Sequence, residues 1–155
     1  MLAFTRNKIV GVECPDEKTF LAHGVLEDYI YALDLDVEVK SPDFKITNIQ
    51  GEYRRYTNPE CPKSIPKLQN AVGLCITEEE FARKIRRMVG KEGCTHFANL
   101  LLECCNGIMQ TAIYNDWKES KEKASATEKK EYLKEKFGSI PGLANSCMAY
   151  SGRNK

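Results

Sequence analysis

The sequence predicts an α+β fold in which the strands come first and the helices follow. Apolar and acidic residues alternate most clearly over residues 29–39, which is typical of a strand with one buried face. Beyond residue 64 the apolar spacing becomes that of helices, and strands followed by helices indicate α+β. We therefore expect an antiparallel sheet of three to four strands followed by three to four helices packed on one face.

The strands are expected between residues 4 and 56. They cover residues 4–12, 18–26, 29–39 and 44–56. Turns at residues 14–16 and 41–43 separate them, since both contain a proline followed by aspartate. In the last strand the apolar phase slips between Ile46 and Ile49, which predicts a β-bulge near Asn48.

The helices are expected between residues 64 and 136. A short helix ends at Gly73, and a second begins at the capping-box pattern Thr77–Glu80. The longest helix opens at Thr95, the expected N-cap, and carries an apolar stripe for more than four turns. A second capping pattern, Ser125–Glu128, starts the last helix. The apolar tail 137–155 is expected to pack back on the body, so that residues 1–155 form a single domain.

Composition narrows the classes of function. The net charge of +1 produces no positive electrostatic field that would attract nucleic acid, and no apolar run is long enough to span a membrane. The amino terminus lacks an apolar secretion core, so we expect a cytoplasmic protein. Seven cysteines is an odd number, which favours buried thiols or metal ligands over a disulfide framework.

Four thiol and imidazole residues stand at the boundaries of predicted elements. They are Cys61, Cys94, His96 and Cys147. Three thiolates and one imidazole suit zinc or an iron–sulfur cluster, so we expect a metal site there. Asp28, at the entrance of a strand, would be an additional oxygen ligand, and a turn residue is the simpler interpretation of it.

Two other interpretations stay open. In one, Cys94 is a catalytic nucleophile favoured as a thiolate by the helix start, with His96 or His23 as the base. In the other, these side chains are structural residues of a protein-interaction module without bound metal. Cys104 and Cys105 fall in the apolar helical stripe and are expected in the core.

Residues 24–113 resemble a bacterial family whose function is uncharacterised. The resemblance lies in the segment Gly93-Cys94-Thr95-His96 at a helix start and in the strand exit Pro59-Glu60-Cys61. A later segment, Pro141 to Cys147, is also similar. No activity comes with this resemblance.

A more distant resemblance is to the NifU and SufE type of iron–sulfur assembly domain. Cys61 at the strand exit, and Cys94 with His96 at the start of the long helix, fall in matching places. The region 25–28 departs from the pattern, since it lacks the thiol of the scaffold proteins. The resemblance implies a metal-binding or sulfur-handling accessory domain that acts with another protein.

Overall fold

The computed structural model describes residues 3–121 and 125–141. Its sheet is a four-stranded antiparallel meander in the order β1-β2-β3-β4. The strands are β1 (Arg6–Glu13), β2 (Thr19–Asp28), β3 (Ala32–Lys40) and β4 (Lys45–Arg55). The predicted α+β class and antiparallel sheet are confirmed. Of the expected packed tail 137–155, residues 137–139 are helical and Ile140 packs against the core, while residues 142–155 lie outside the described residues.

Apolar and polar residues alternate along the strand β3 because only one face of the sheet is buried. In β3, the apolar residues at 33, 35, 37 and 39 are fully buried, while the acidic residues between them lie on the other face. A register shift places Glu38 opposite Asn48 but Val39 opposite Ile46. Thr47 is the extra residue, so the predicted bulge is confirmed one position from Asn48.

The helical part begins with a 3₁₀ helix, Cys61–Ala71. Pro66 lies inside this helix and has no N–H to donate to an α-helical bond. Next come a short α1 (Phe81–Ile85), which continues into a π-helical turn at Arg86–Lys91, and the 27-residue α2 (Thr95–Lys121). The last helix is α3 (Ala126–Ser139).

The two capping patterns have different outcomes. The pattern at Ser125 is confirmed, because the side chains of Ser125 and Glu128 each bond the backbone N–H of the other. The pattern at Thr77 is wrong, since α1 begins after Glu80 and has no side-chain cap. The Thr77 hydroxyl instead lies 3.0 Å from the Cys75 sulfur, so it is engaged with a neighbouring side chain.

Helix α2 lies across the sheet and builds the core with it. Its stripe of buried residues includes Phe97, Leu101 and Ile108, as the apolar spacing predicts. Gly24 of β2 lets the helix approach closely, because a Cβ there would stand 2.6 Å from the Cys104 sulfur. The start of α2 lies at the end of the sheet where β2 finishes, since His96 contacts Arg6, the residue opposite Asp28. Within the described chain, none of the helices combines the length and apolarity needed to cross a membrane.

Candidate functional site

A pocket of about 350 Å³ opens where α2 begins. We call it the Cys94 pocket, and the side chains that give it chemistry are Tyr31, Tyr53, Cys61, Ser64, Cys94 and His96. Cys61, Cys94 and His96 come from the predicted set, and the fold brings all three to this one pocket. The pocket is therefore the meeting point of the sheet exit and the long helix.

The backbone holds Cys94 at the entrance of α2. Its N–H donates to the Val89 carbonyl at 2.8 Å, and its carbonyl accepts from Ala98 N–H at 3.0 Å. Cys94 therefore occupies the cap position, one residue before Thr95, where the cap was predicted. Gly93 is required here, since an added Cβ would lie 2.7 Å from the Val89 carbonyl oxygen.

The Cys94 sulfur has two polar neighbours. Its Sγ lies 3.8 Å from His96 Nδ1, and its second polar neighbour is the Tyr53 hydroxyl in the same pocket. Burial, and then the interaction with the Cys94 sulfur, raise the pKa of Tyr53, so the phenol is protonated at neutral pH. The Tyr53 hydroxyl also contacts Ser64 Oγ at 3.2 Å. Because Cys94 precedes the helix, its sulfur reaches the imidazole two residues later.

The His96 ring is held from two sides. It packs against the Tyr31 ring with centroids 4.3 Å apart, and its Nε2 lies 3.2 Å from Arg6 Nη2. Burial, followed by the charge of Arg6, lowers the pKa of His96, while Asp28 acts in the opposite direction. The ring is consequently neutral at pH 7.

Beside His96 lies an ion pair between the exposed Arg6 and the buried Asp28. Asp28 Oδ2 accepts from Arg6 Nε at 2.7 Å and lies 2.6 Å from Arg6 Nη2, and Oδ1 accepts from Ile30 N–H and Tyr31 N–H, each at 2.7 Å. Burial raises the pKa of Asp28, but these backbone and guanidinium donors outweigh it and hold the pKa at about 2. The carboxylate is thus ionised, and it acts on the pocket through Arg6. Its role as an oxygen ligand stays a prediction.

The remaining cysteines differ from Cys94 in position. Cys104 and Cys105 are buried in α2 as predicted, and Cys147 lies outside the described residues. Over residues 3–121 and 125–141, no three His, Cys, Asp or Glu side chains are grouped closely enough to hold a metal ion. His23 lies on the open face of the sheet, where its Nδ1 is 2.7 Å from Asp36 Oδ1.

Sequence reasoning missed Arg6, Tyr31, Tyr53 and Ser64. A signal for Arg6 does exist, because a hairpin turn centred on residue 17 places residue 6 opposite residue 28, as the β1–β2 register shows. Tyr53 has a weaker signal, since it continues the inward phase of Ile49 along β4. Tyr31 is in phase with the buried residues of β3 but directly precedes the strand, and Ser64 lies in the 3₁₀ helix, where a single polar residue gives no signal.

Comparison with known proteins gives a family and no activity. Neither a curated protein nor a solved structure matches the chain, so the relation to NifU and SufE stays a prediction. The sequence model of a family described as protein of unknown function, DUF2889, matches residues 13–110, which is more than half of the chain. The protein therefore belongs to the DUF2889 family.

Proposed function

We propose that this protein is a sulfur-handling protein in which Cys94 takes a sulfur atom from a persulfide and holds it for transfer. The observation that carries the proposal is the placement of the Cys94 sulfur: it faces an open pocket, at the start of a 27-residue helix, between Tyr53 and His96. Helix starts favour anionic sulfur, because unpaired N–H groups and the helix dipole point at it.

The transfer is a thiol exchange that needs no oxidant. The Cys94 thiolate attacks the terminal sulfur of a donor R–S–SH, forms a new S–S bond and releases R–S⁻ as the old S–S bond breaks. Cys94 then carries the persulfide Cys94–S–SH, and the donor leaves as a thiol after taking up a proton. The donor thiol is expected on a small molecule or on another protein, in keeping with an accessory role.

The test is direct loading of the protein with glutathione persulfide. We expect a mass increase of one sulfur atom on the peptide that contains Cys94, and release of that sulfur when excess thiol is added. Cys94→Ser should abolish loading, whereas Cys14→Ser, which removes an exposed thiol far along the chain, should leave it intact. Equal loading of Cys14 and Cys94 would contradict the proposal, and loading at neither would favour an interaction module.

A thiolate metal site is the second proposal, because Cys61, Cys94 and His96 face the same pocket. Two thiols and an imidazole are ligands that zinc accepts, and an iron–sulfur cluster would take the thiols. Cys147 would be the fourth ligand. It ranks second because no three potential ligands among the described residues are grouped closely enough to hold an ion, and because Arg6 already holds His96 Nε2.

Metal analysis of untagged protein separates the two proposals. Stoichiometric zinc or iron that is lost in both Cys94→Ser and Cys61→Ser would support the metal site. Metal-free protein that is folded and loads sulfur on Cys94 would contradict it and leave the sulfur-handling proposal standing.

A further inference from the structure

We infer that Arg6 is a positioning residue that fixes His96 in the Nδ1-protonated form, so that the imidazole donates a hydrogen bond to the Cys94 sulfur and does not serve as its base. The inference deepens the proposed sulfur chemistry and, for its meaning in catalysis, rests on it. Its structural part concerns the position of one proton and stands on the geometry alone.

The position of that proton follows from the chemistry of arginine. A guanidinium has only donors, so the 3.2 Å contact between Arg6 Nη2 and His96 Nε2 requires Nε2 to accept. A neutral imidazole with an accepting Nε2 carries its proton on Nδ1. Nδ1 faces the Cys94 sulfur at 3.8 Å, within the range of a hydrogen bond to sulfur.

Arg6 is itself fixed by Asp28. Its Nε and Nη2 both reach Asp28 Oδ2, at 2.7 and 2.6 Å, and the Asp28 side chain is fully buried. Nη2 has two hydrogens, so one is available for the carboxylate and the other for His96 Nε2. The two backbone N–H groups on Asp28 Oδ1 prevent the carboxylate from turning away.

The ring of His96 is also prevented from exchanging its two nitrogens. Tyr31 packs on it with centroids 4.3 Å apart, and Tyr31 in turn is tied to Asp28 through its backbone N–H. Asp28, Arg6 and His96 therefore form one array, which we call the Asp28–Arg6–His96 array. It spans the end of β2, the start of β1 and the first turn of α2.

The array restricts the class of substrate. With Nδ1 protonated and Nε2 engaged, His96 has no lone pair free to take the Cys94 proton and no second proton to give to a leaving group. His96 therefore suits a reaction whose leaving group departs as an anion near neutral pH, such as a thiolate. This favours S–S bonds as substrates over amides, whose nitrogen must be protonated as it leaves.

The first experiment determines by nuclear magnetic resonance which ring nitrogen of His96 carries the proton. In ¹⁵N-labelled wild-type protein at neutral pH, two-bond correlations of the ring are expected to show a protonated Nδ1 and an unprotonated Nε2 for His96. The chain contains two histidines, so His23→Gln assigns the signals. An Nε2-protonated or doubly protonated His96 ring would overturn the inference, whatever the variants show.

The second experiment uses Arg6→Lys, which keeps the charge beside Asp28 but lacks the planar fork that reaches both neighbours. We expect His96 to populate the Nε2-protonated form, which frees the Nδ1 lone pair to take the Cys94 proton, so that alkylation of Cys94 by iodoacetamide becomes about fivefold faster. The control is Lys8→Met, which removes another cation of β1, one that pairs with Glu103 of α2. It should change neither the protonation of His96 nor the alkylation rate of Cys94.

The outcomes separate this inference from the proposed function. An unchanged His96 spectrum and an unchanged alkylation rate in Arg6→Lys would overturn the role of Arg6. A protonated Nδ1 in a protein that accepts no sulfur from glutathione persulfide would overturn the function and leave the array established. Rapid cleavage of peptide amides by the wild-type protein would overturn the restriction on substrates.

Discussion

Cys104 and Cys105 are expected to differ from Cys94 in reactivity because they are buried. Both are buried in α2, Cys104 against Gly24 of the sheet, and burial raises the pKa of each, that of Cys104 to about 12. Since the thiolate is the reacting form, these two cysteines are expected to be inert near neutral pH in the folded protein.

Site-resolved alkylation checks this expectation. With iodoacetamide at pH 7.5, followed by mass spectrometry of the peptides, we expect Cys94 to be modified while Cys104 and Cys105 stay unmodified. All three should react at similar rates once the protein is unfolded in urea, which serves as the control. Modification of Cys104 in the folded state at the rate of Cys94 would show that the helix and the sheet are not packed as described.

At the scale of elements, the close packing of α2 on β2 depends on Gly24. A Cβ at this position would stand 2.6 Å from Cys104 Sγ and 3.0 Å from Leu100 Cγ, so Gly24→Ala forces the helix or the strand to shift. We expect the free energy of unfolding to fall by about 2 kcal/mol in urea titrations. Gly11→Ala, on β1 with nothing near the added Cβ, should change it by less than about 0.5 kcal/mol.

The cap of α3 offers a second test between matched residues. Ser125→Ala removes the confirmed capping box and should destabilise the helix by about 1 kcal/mol, seen as faster hydrogen exchange of the amides that follow. Thr77→Ala removes the same kind of sequence pattern where no cap forms, so exchange in α1 should stay as in the wild type. A larger effect at Thr77 than at Ser125 would contradict this account of the two caps.

Much of the fold was predictable from local pattern. The alternation in β3, the bulge beside Asn48 and the stripe on α2 are all written in residues close together in sequence, because one face of each element is buried. The Thr77 pattern failed for a physical reason: its hydroxyl is engaged with Cys75 and the helix starts at Phe81, too far on for Thr77 to cap it.

The site was predictable only where its residues lie at element ends. Cys61, Cys94 and His96 were expected from their boundary positions, and the pocket collects them. Arg6 was missed, since its partner Asp28 is set by strand register and His96 by the docking of a helix. The register of the first hairpin could have indicated the pairing with Asp28. The contact with His96 is a property of tertiary structure that the local sequence around Arg6 does not show.

At the scale of the whole molecule, Asp28 makes the free energy of unfolding depend on pH in the acid range. Its folded pKa is about 2, below the ordinary value of 3.8, so its ionised form stabilises the fold above about pH 4, and that contribution is lost as pH falls toward 2. We expect the urea midpoint of the wild type to drop over this range, and Asp28→Asn to drop less steeply from a lower starting value. The control is Asp34→Asn, which removes only an exposed ion pair with Arg54 and should retain the wild-type slope. Equal slopes in wild type and Asp28→Asn would contradict the assignment.

The contact between Arg6 and His96 joins residues 90 positions apart, and this distance along the chain has a kinetic consequence. Neither the first hairpin nor the long helix holds the pocket by itself, so the pocket comes into being only when the two ends of the folding unit close on each other. Brief pulses of a thiol reagent at successive times of refolding would therefore time that closure, as the point at which the modification rate of Cys94 changes to that of the folded protein.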